Sequence, residues 1–276
     1  MRTPVGSLDL VRPATLEAAL VLLRERGPLT PLAGCTDIFV LLNAGTPPAQ
    51  HYLDIWHLDE LRGIRVDDGV LRLGALSTYA DVIGSPLVRD WLPMLVDAAR
   101  LVGGVQIHNR GTIGGNIANA SPAGDTLPVF AVAEAEIVLA SVDGERRIPF
   151  TGFYTGYRAT VRRSDELLVS IEVPAVDGRQ WFRKVGTRAA QAVSKVVMAA
   201  VRARSPRIAL GSVAPTVVRA WGTERVLAQG GSIEDAQRAL LDEIHPIDDV
   251  RSTAIYRRRV SANLLARFWQ DTGSTT

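Results

Sequence analysis

Gly111, Gly114 and Gly115 fall within five residues at the head of GTIGGNIANASPAGD, residues 111–125. No other stretch restricts the chain as much. Glycine has no Cβ, so main chain built from it can approach a ligand or another backbone closely. The spacing is G-x-x-G-G. It is not G-x-G-x-x-G, and no Gly-Lys-Ser/Thr follows, so a nicotinamide Rossmann domain and a Walker-type NTPase both fit poorly. The N–H groups of Gly114, Gly115 and Asn116, with the side chains of Thr112 and Asn116, are candidate donors to a pyrophosphate. The competing reading is a turn kept glycine-rich for packing, and the spacing leaves the two even. Asp125 closes the stretch. A carboxylate repels a phosphate, so it suits hydroxyls such as a ribityl chain, or a ring N–H. It also suits the cap of a helix over 127–133, with Pro128 in the first turn.

A second small-residue turn, LAGCTD at 32–37, runs from a strand into a helix. Such a turn presents several N–H groups to an anion beside the positive end of the helix dipole. Taken alone, an ordinary tight connection is the favoured reading.

The chain has 276 residues, enough for two domains or one domain of two lobes. It is 47% hydrophobic and 22% charged, ordinary values for a globular protein. Lys and Arg total 31 against 29 Asp and Glu, so the net charge of +2 gives no reason to expect nucleic-acid binding. The single cysteine, Cys35, excludes an internal disulfide framework, a multi-Cys zinc site and an iron–sulfur cluster held by this chain alone. No apolar run reaches the length of a membrane span, and the N-terminus lacks the secretory pattern. A soluble, cytoplasmic protein with no membrane partner is the expectation.

Periodicity predicts a helix over Thr15–Arg26, with Leu16, Ala19, Leu20 and Leu23 on one face, Thr15 as its cap and Gly27 at its end. Strands at LTPL and HYLDI flank a short helix over Ile38–Asn43, which suggests a βαβ-like lobe. GIRVDDGVLRLGAL then reads as a hairpin turning at Asp68-Gly69. A helix is expected over Pro86–Leu101, a second hairpin turning at Asp143-Gly144, and a strand at ELLVSIEVP. A boundary falls in the polar PAVDGRQ. Beyond it, QWFRKV, KVVMAAVRA and RIALGSVA are expected strands, and Ile233–Ile244 and Thr253–Trp269 expected helices.

LAGCTDIFVLL, LRLGALST, GGVQIHNRGTIGGNIANASPAGDTLPVF, FYTGY, DELLVSIEVP, FRKVGTRAAQAVSKV, ALGSVAPTVVRA and DDVRSTAIYRRRV occur in that order. Together they resemble the FAD-binding medium subunit of the molybdenum hydroxylases, the xanthine dehydrogenase and carbon monoxide dehydrogenase family, over essentially the whole chain. The resemblance implies an α+β fold. Residues 1–176 would be a two-lobed FAD-binding domain of the vanillyl-alcohol oxidase-like type, with lobes over about 1–57 and 58–176. Residues 177–276 would be a small α+β C-terminal domain. FAD would lie extended between the lobes. Leu32, Ala33, Gly34, Cys35, Thr36, Asp37 and Ile38 would wrap its pyrophosphate and adenosine side. Gly111, Thr112, Ile113, Gly114, Gly115 and Asn116 would form a second pyrophosphate loop. Val102 would sit near the cofactor, and Asp125 would take polar groups of the flavin half. Leu168, within one residue of register, and Lys184 match positions that contact FAD in relatives. Lys184 would stabilise negative charge on the reduced ring; without the resemblance it reads as a solvated lysine at a strand end. Tyr154 and Tyr157 are either neighbours of the ring or acceptor site, or structural aromatics of a loop.

Two departures stand out. Cys35 replaces the usual second glycine of the first loop, and reads as a small side chain that fits rather than a redox thiol. His108 replaces the arginine of Ile-Arg-Asn, and reads as a packed or exposed histidine before a phosphate or partner contact. The family further implies a separately encoded subunit whose molybdopterin and [2Fe–2S] clusters reside in a large and a small partner, as a dimer of heterotrimers. Electrons would reach FAD here and pass to NAD+ or another acceptor. The alternatives are a stand-alone FAD-dependent NAD(P)H oxidoreductase and a non-catalytic assembly module.

Overall fold

The computed structural model describes residues 8–189 and 191–273; the outer ends of the two expected domains lie outside them. The first lobe holds β1 (Asp9–Val11), α1 (Leu16–Arg26), β2 (Thr30–Leu32), α2 (Ile38–Asn43) and β3 (His51–Asp54). Its strands form a parallel sheet ordered β1-β3-β2. Thr15 caps α1 by accepting the N–H of Ala18 at 3.1 Å, Gly27 is the C-cap, and Ala19, Leu20 and Leu23 are buried, as the periodicity predicts. With only three residues, β1 is too short to leave a pattern of its own.

The second lobe opens with the hairpin β4 (Ile64–Asp67) and β5 (Val70–Gly74), turning at Asp68 and Gly69, both at positive φ. Next come α3 (Tyr79–Gly84), α4 (Pro86–Trp91), α5 (Pro93–Arg100), α6 (Val105–His108), α7 (Ile113–Asn119) and α8 (Leu127–Val132). The helix expected over Pro86–Leu101 is thus two helices. Pro93 has no N–H to continue α4 and drives Leu92 out of the helical region, to φ −140° and ψ 60°. The lobe continues with β6 (Glu136–Ser141), β7 (Gly144–Pro149), β8 (Tyr154–Gly156), β9 (Ala159–Thr160) and β10 (Leu167–Pro174). The β6–β7 turn sits at Val142-Asp143, because Gly144 already pairs with Ser141. An antiparallel sheet ordered β4-β5-β10-β6-β7 backs the lobe, and β8 pairs with β9 as a separate small hairpin.

The remainder is an antiparallel meander, β11 (Arg179–Val185), β12 (Val196–Arg202), β13 (Arg207–Gly211) and β14 (Val218–Arg219), followed by α9 (Trp221–Ala228), α10 (Ile233–Glu243) and α11 (Ala254–Asp271). The sequence leaves α9 unannounced because Ala220 offers no capping side chain. Its first N–H groups are capped instead from α10, whose Glu243 accepts Gly222 N at 2.7 Å and Thr223 N at 3.0 Å. Alternation along β12 builds two cores at once. Val197, Ala199 and Val201 join the second lobe's cluster with Val96 and Phe130, while Val196, Met198 and Ala200 pack with Leu240, Leu265 and Phe268 of the helices. Buried Arg219 adds a polar tie, donating to the Ala131 carbonyl at 2.9 Å and to Glu224. No helix among the described residues is long and apolar enough to cross a membrane.

A cleft between the lobes

The two glycine segments meet face to face. A Cβ on Gly34 would lie 1.6 Å from the carbonyl oxygen of Arg110, and one on Gly114 would lie 2.7 Å from that of Ala75. These glycines are bare because backbone packs against them. A Cβ on Gly115 would meet only the Thr112 hydroxyl, at 2.7 Å, and Gly115 lines the open cleft.

The stretch at 111–125 is not a loop of free donors. Thr112 is the N-cap of α7 and accepts Gly115 N at 3.0 Å through its hydroxyl. Gly114 N donates to Ala75 O at 2.9 Å, and Asn116 N to Thr112 O at 3.0 Å. The three N–H groups expected for a pyrophosphate are therefore engaged inside the protein. The first turn behaves differently. Cys35 adopts φ 62°, and the N–H groups of Gly34, Cys35, Thr36 and Asp37 find no acceptor among the described residues. Such a run of N–H groups in a turn is an anion-binding concavity.

Two cavities of about 330 and 560 Å³ share a neck formed by Thr36, Asp37, Tyr79, Asn116 and Asn119. Ala33–Ile38, Gly111, Thr112, Gly114, Gly115 and Leu168 line the first. Val102, Gly103, Gly104, Gln191 and Asp125 line the second. Five further expected residues lie outside both, Lys184 among them. Leu32 ends β2, and Ile113 is fully buried in the core. Tyr154 is a core aromatic, T-shaped against Phe150 and Phe153, with its hydroxyl donating to Ile117 O at 3.2 Å. Tyr157 is 65% exposed at the tip of the β8–β9 hairpin. Neither tyrosine borders the cleft. Residues that sequence reasoning passed over do border it: Tyr79 and Asn119 at the neck, and Arg158 and Arg162 beside the first cavity. Arg158 stands one position beyond the FYTGY segment, but nothing local marks an arginine as cleft-facing.

Asp125 and Lys184 form one unit. Lys184 Nζ donates to Asp125 Oδ2 at 2.7 Å and to Leu101 O at 2.8 Å, and Ser194 Oγ donates to the other carboxylate oxygen. Both side chains of the ion pair are more than nine-tenths buried. Burial pushes the Asp125 carboxyl up, against the pull of the Lys184 ammonium and the Ser194 hydroxyl. Asp125 does not cap α8: Thr126 holds the N-cap position, and no side chain closes that end. Lys184 is no solvated lysine and reaches the cleft only through Asp125. Burial also raises the Asp37 carboxyl, with Arg158 and Asn119 drawing it down. At Cys35 burial raises the thiol while Arg110 opposes, which disfavours the thiolate. His108 borders neither cavity, and its Nε2 is buried without a hydrogen-bond partner. Among the described residues no group of three or more His, Cys, Asp or Glu is placed to hold a metal ion.

A parallel α/β lobe faces an antiparallel α+β lobe across a two-chambered cleft, with a turn of free N–H groups on one wall, and this is the class of two-lobed proteins with a cleft suited to an extended, phosphate-bearing ligand. Residues 6–176 match the family model of the FAD binding domain in molybdopterin dehydrogenase, and residues 180–272 that of the CO dehydrogenase flavoprotein C-terminal domain. The chain belongs to the FAD-binding medium-subunit family of the molybdenum hydroxylases, the flavin subunits of oxidoreductases. It is 33% identical over 267 residues to the carbon monoxide dehydrogenase medium chain of Hydrogenophaga pseudoflava, covering 92% of this chain and 93% of that one. It is 31% identical over 261 residues to the xanthine dehydrogenase FAD-binding subunit of Escherichia coli O157:H7, covering 89% of each. The solved carbon monoxide dehydrogenase from Hydrogenophaga pseudoflava that lacks the Mo-pyranopterin moiety superposes with a TM-score of 0.88, at 31% identity over 97% of this chain and 96% of that one.

Proposed function

We propose that this chain is the FAD-carrying electron-transfer subunit of a heteromeric, cytoplasmic molybdenum-containing hydroxylase or dehydrogenase. A small partner would deliver electrons from [2Fe–2S] clusters and a large partner would carry molybdopterin, in a dimer of heterotrimers. NAD+ or another acceptor would take the electrons. One observation carries this reading: the turn at Gly34–Asp37 keeps its N–H groups free at the neck of a cleft whose far chamber ends on the buried Asp125–Lys184 pair.

Bound FAD supplies the redox chemistry, and the protein supplies binding, orientation and electrostatics. The free N–H groups of Gly34–Asp37 hold the diphosphate. Gly115 leaves room for it, and Gly34, packed on Arg110, keeps the two walls at their close spacing. Leu168 and Ile38 give the first cavity apolar contact for an adenosine. Asp125 presents an acceptor to hydroxyl or N–H groups in the second cavity, held in place by Lys184 and Ser194. Lys184 acts through that carboxylate. Residues up to about 176 form the cofactor-binding domain, and those from about 177 the C-terminal domain, which contributes Lys184 and Ser194.

Co-expression with candidate iron–sulfur and molybdopterin partner chains tests the reading. The expected result is a yellow protein with one FAD per chain that co-purifies with iron- and molybdenum-bearing partners. A colourless chain that takes up no FAD points to an assembly module. A yellow chain that never finds partners, yet reduces dyes with NADH, points to a stand-alone oxidoreductase.

A further inference from the structure

Arg158 is unlike most arginines around it. It sits at the turn between β8 and β9 with φ 52°, a left-handed conformation that a non-glycine residue rarely adopts and that collects at functional positions. Its guanidinium reaches across to the end of α7, where Nη1 donates to Asn119 Oδ1 at 2.7 Å and to Asn119 O at 3.4 Å. Its charge also acts on the Asp37 carboxyl at the neck of the cleft.

The charges around the cleft give this placement a meaning. The shared neck carries the carboxyl of Asp37. A diphosphate seated on the free N–H groups there would face that acid. The cationic side chains lining the two cavities, among the described residues, are Arg158 and Arg162. Arg162 already donates to two main-chain carbonyls, of Arg163 at 3.0 Å and Glu166 at 2.7 Å. Arg158 is left as the cation positioned to offset Asp37 and to meet an anion. A neutral amide oxygen holds it until then, and a phosphate oxygen is the stronger acceptor for a guanidinium.

We propose that Arg158 is a phosphate-binding residue of this cleft: it closes, from the β8–β9 hairpin, the diphosphate site whose other wall is the Gly34–Asp37 turn. This rests on the cleft being the FAD site. Arg158 is exposed on the hairpin turn, so its replacement leaves the core intact.

The test is FAD binding to the full-length apoprotein, read by quenching of flavin fluorescence, with riboflavin as the probe lacking phosphates. Arg158→Gln is expected to raise the Kd for FAD at least about tenfold, the scale of one charge-assisted hydrogen bond. It is also expected to flatten the salt dependence of FAD binding, because one screened charge is gone. Riboflavin affinity should stay within about twofold, and Arg158→Lys should fall between wild type and Arg158→Gln. The proposal is overturned if Arg158→Gln binds FAD as tightly as wild type. It is equally overturned if FAD and riboflavin weaken together, since Arg158 would then only tie the hairpin to α7. A wild-type chain that binds no FAD would instead remove the reading of the cleft, and Arg158 with it.

Discussion

The main chain at Gly34 lies so close to Arg110 that an added Cβ would stand 1.6 Å from the Arg110 carbonyl oxygen. That contact joins segments 76 positions apart in the chain (34 to 110) and sets the width of the cleft between the lobes.

Gly34→Ala and Gly115→Ala should therefore act in opposite ways. At Gly34 the obstacle is backbone, so the segments must separate. A loss of about 1–3 kcal/mol is expected, with cofactor retention falling alongside. At Gly115 the added methyl meets a hydroxyl. Displacing the Thr112 cap costs about 1 kcal/mol, and replacing a helical glycine returns a similar amount. Stability should hardly move while FAD affinity drops. Paired denaturant titrations and FAD titrations decide the matter; equal stability losses would refute the division of roles.

Lys184→Met should strand Asp125 in the interior. Removing one partner of a buried pair costs about 3–5 kcal/mol. The Asp125 carboxyl, already raised by burial, can escape by taking a proton. An acid raised in the folded state binds protons more readily there than when unfolded, so the variant loses stability as pH rises. Urea unfolding at pH 5 and pH 8 should show the larger deficit at pH 8, and Asp125→Asn added to Lys184→Met should recover part of it. A deficit independent of pH would count against this.

Tyr154→Phe separates packing from chemistry. The ring stays among Phe150 and Phe153, and only the bond to Ile117 O is lost. A decrease of about 1 kcal/mol is expected, with an unaltered flavin absorption spectrum. A displaced spectrum would return Tyr154 to the ring's surroundings.

Acid should loosen the segment before α11. The Arg257 guanidinium, 2.7 Å from Asp249, with backbone N–H groups of Arg251 and Ser252, holds the Asp249 carboxyl down to about 2. A depressed carboxyl stabilises the fold above its unfolded value, and the contribution is lost as pH falls through about 2. Acid unfolding between pH 5 and 2 should be shallower for Asp249→Asn than for wild type. Parallel curves would show that the pair contributes nothing.

Much of this was readable along the chain. Period-3.6 and period-2 patterns place α1, α10, α11 and the strands β4 to β7, and Thr15 and Gly27 bound α1 as capping residues do. The quoted motifs carry the family. What sequence reasoning did not show was the partners that polar groups take inside the fold. Gly114, Gly115 and Asn116 have the right chemistry for a phosphate, but their N–H groups close onto Ala75 and Thr112. Asp125 and Lys184, read as two separate cofactor contacts, are one ion pair across 59 positions.

The division has a physical cause. Helix, strand and turn preferences arise within a few residues, so the chain alone determined the longer elements, their order and the FAD-binding family they belong to, while α9 and the break at Pro93 had to come from the structure. A buried N–H, carboxylate or guanidinium takes whichever partner folding brings within about 3 Å. Only the tertiary structure could therefore decide that the first turn keeps its donors free, that Lys184 answers to Asp125, and that Arg158 reaches the neck of the cleft.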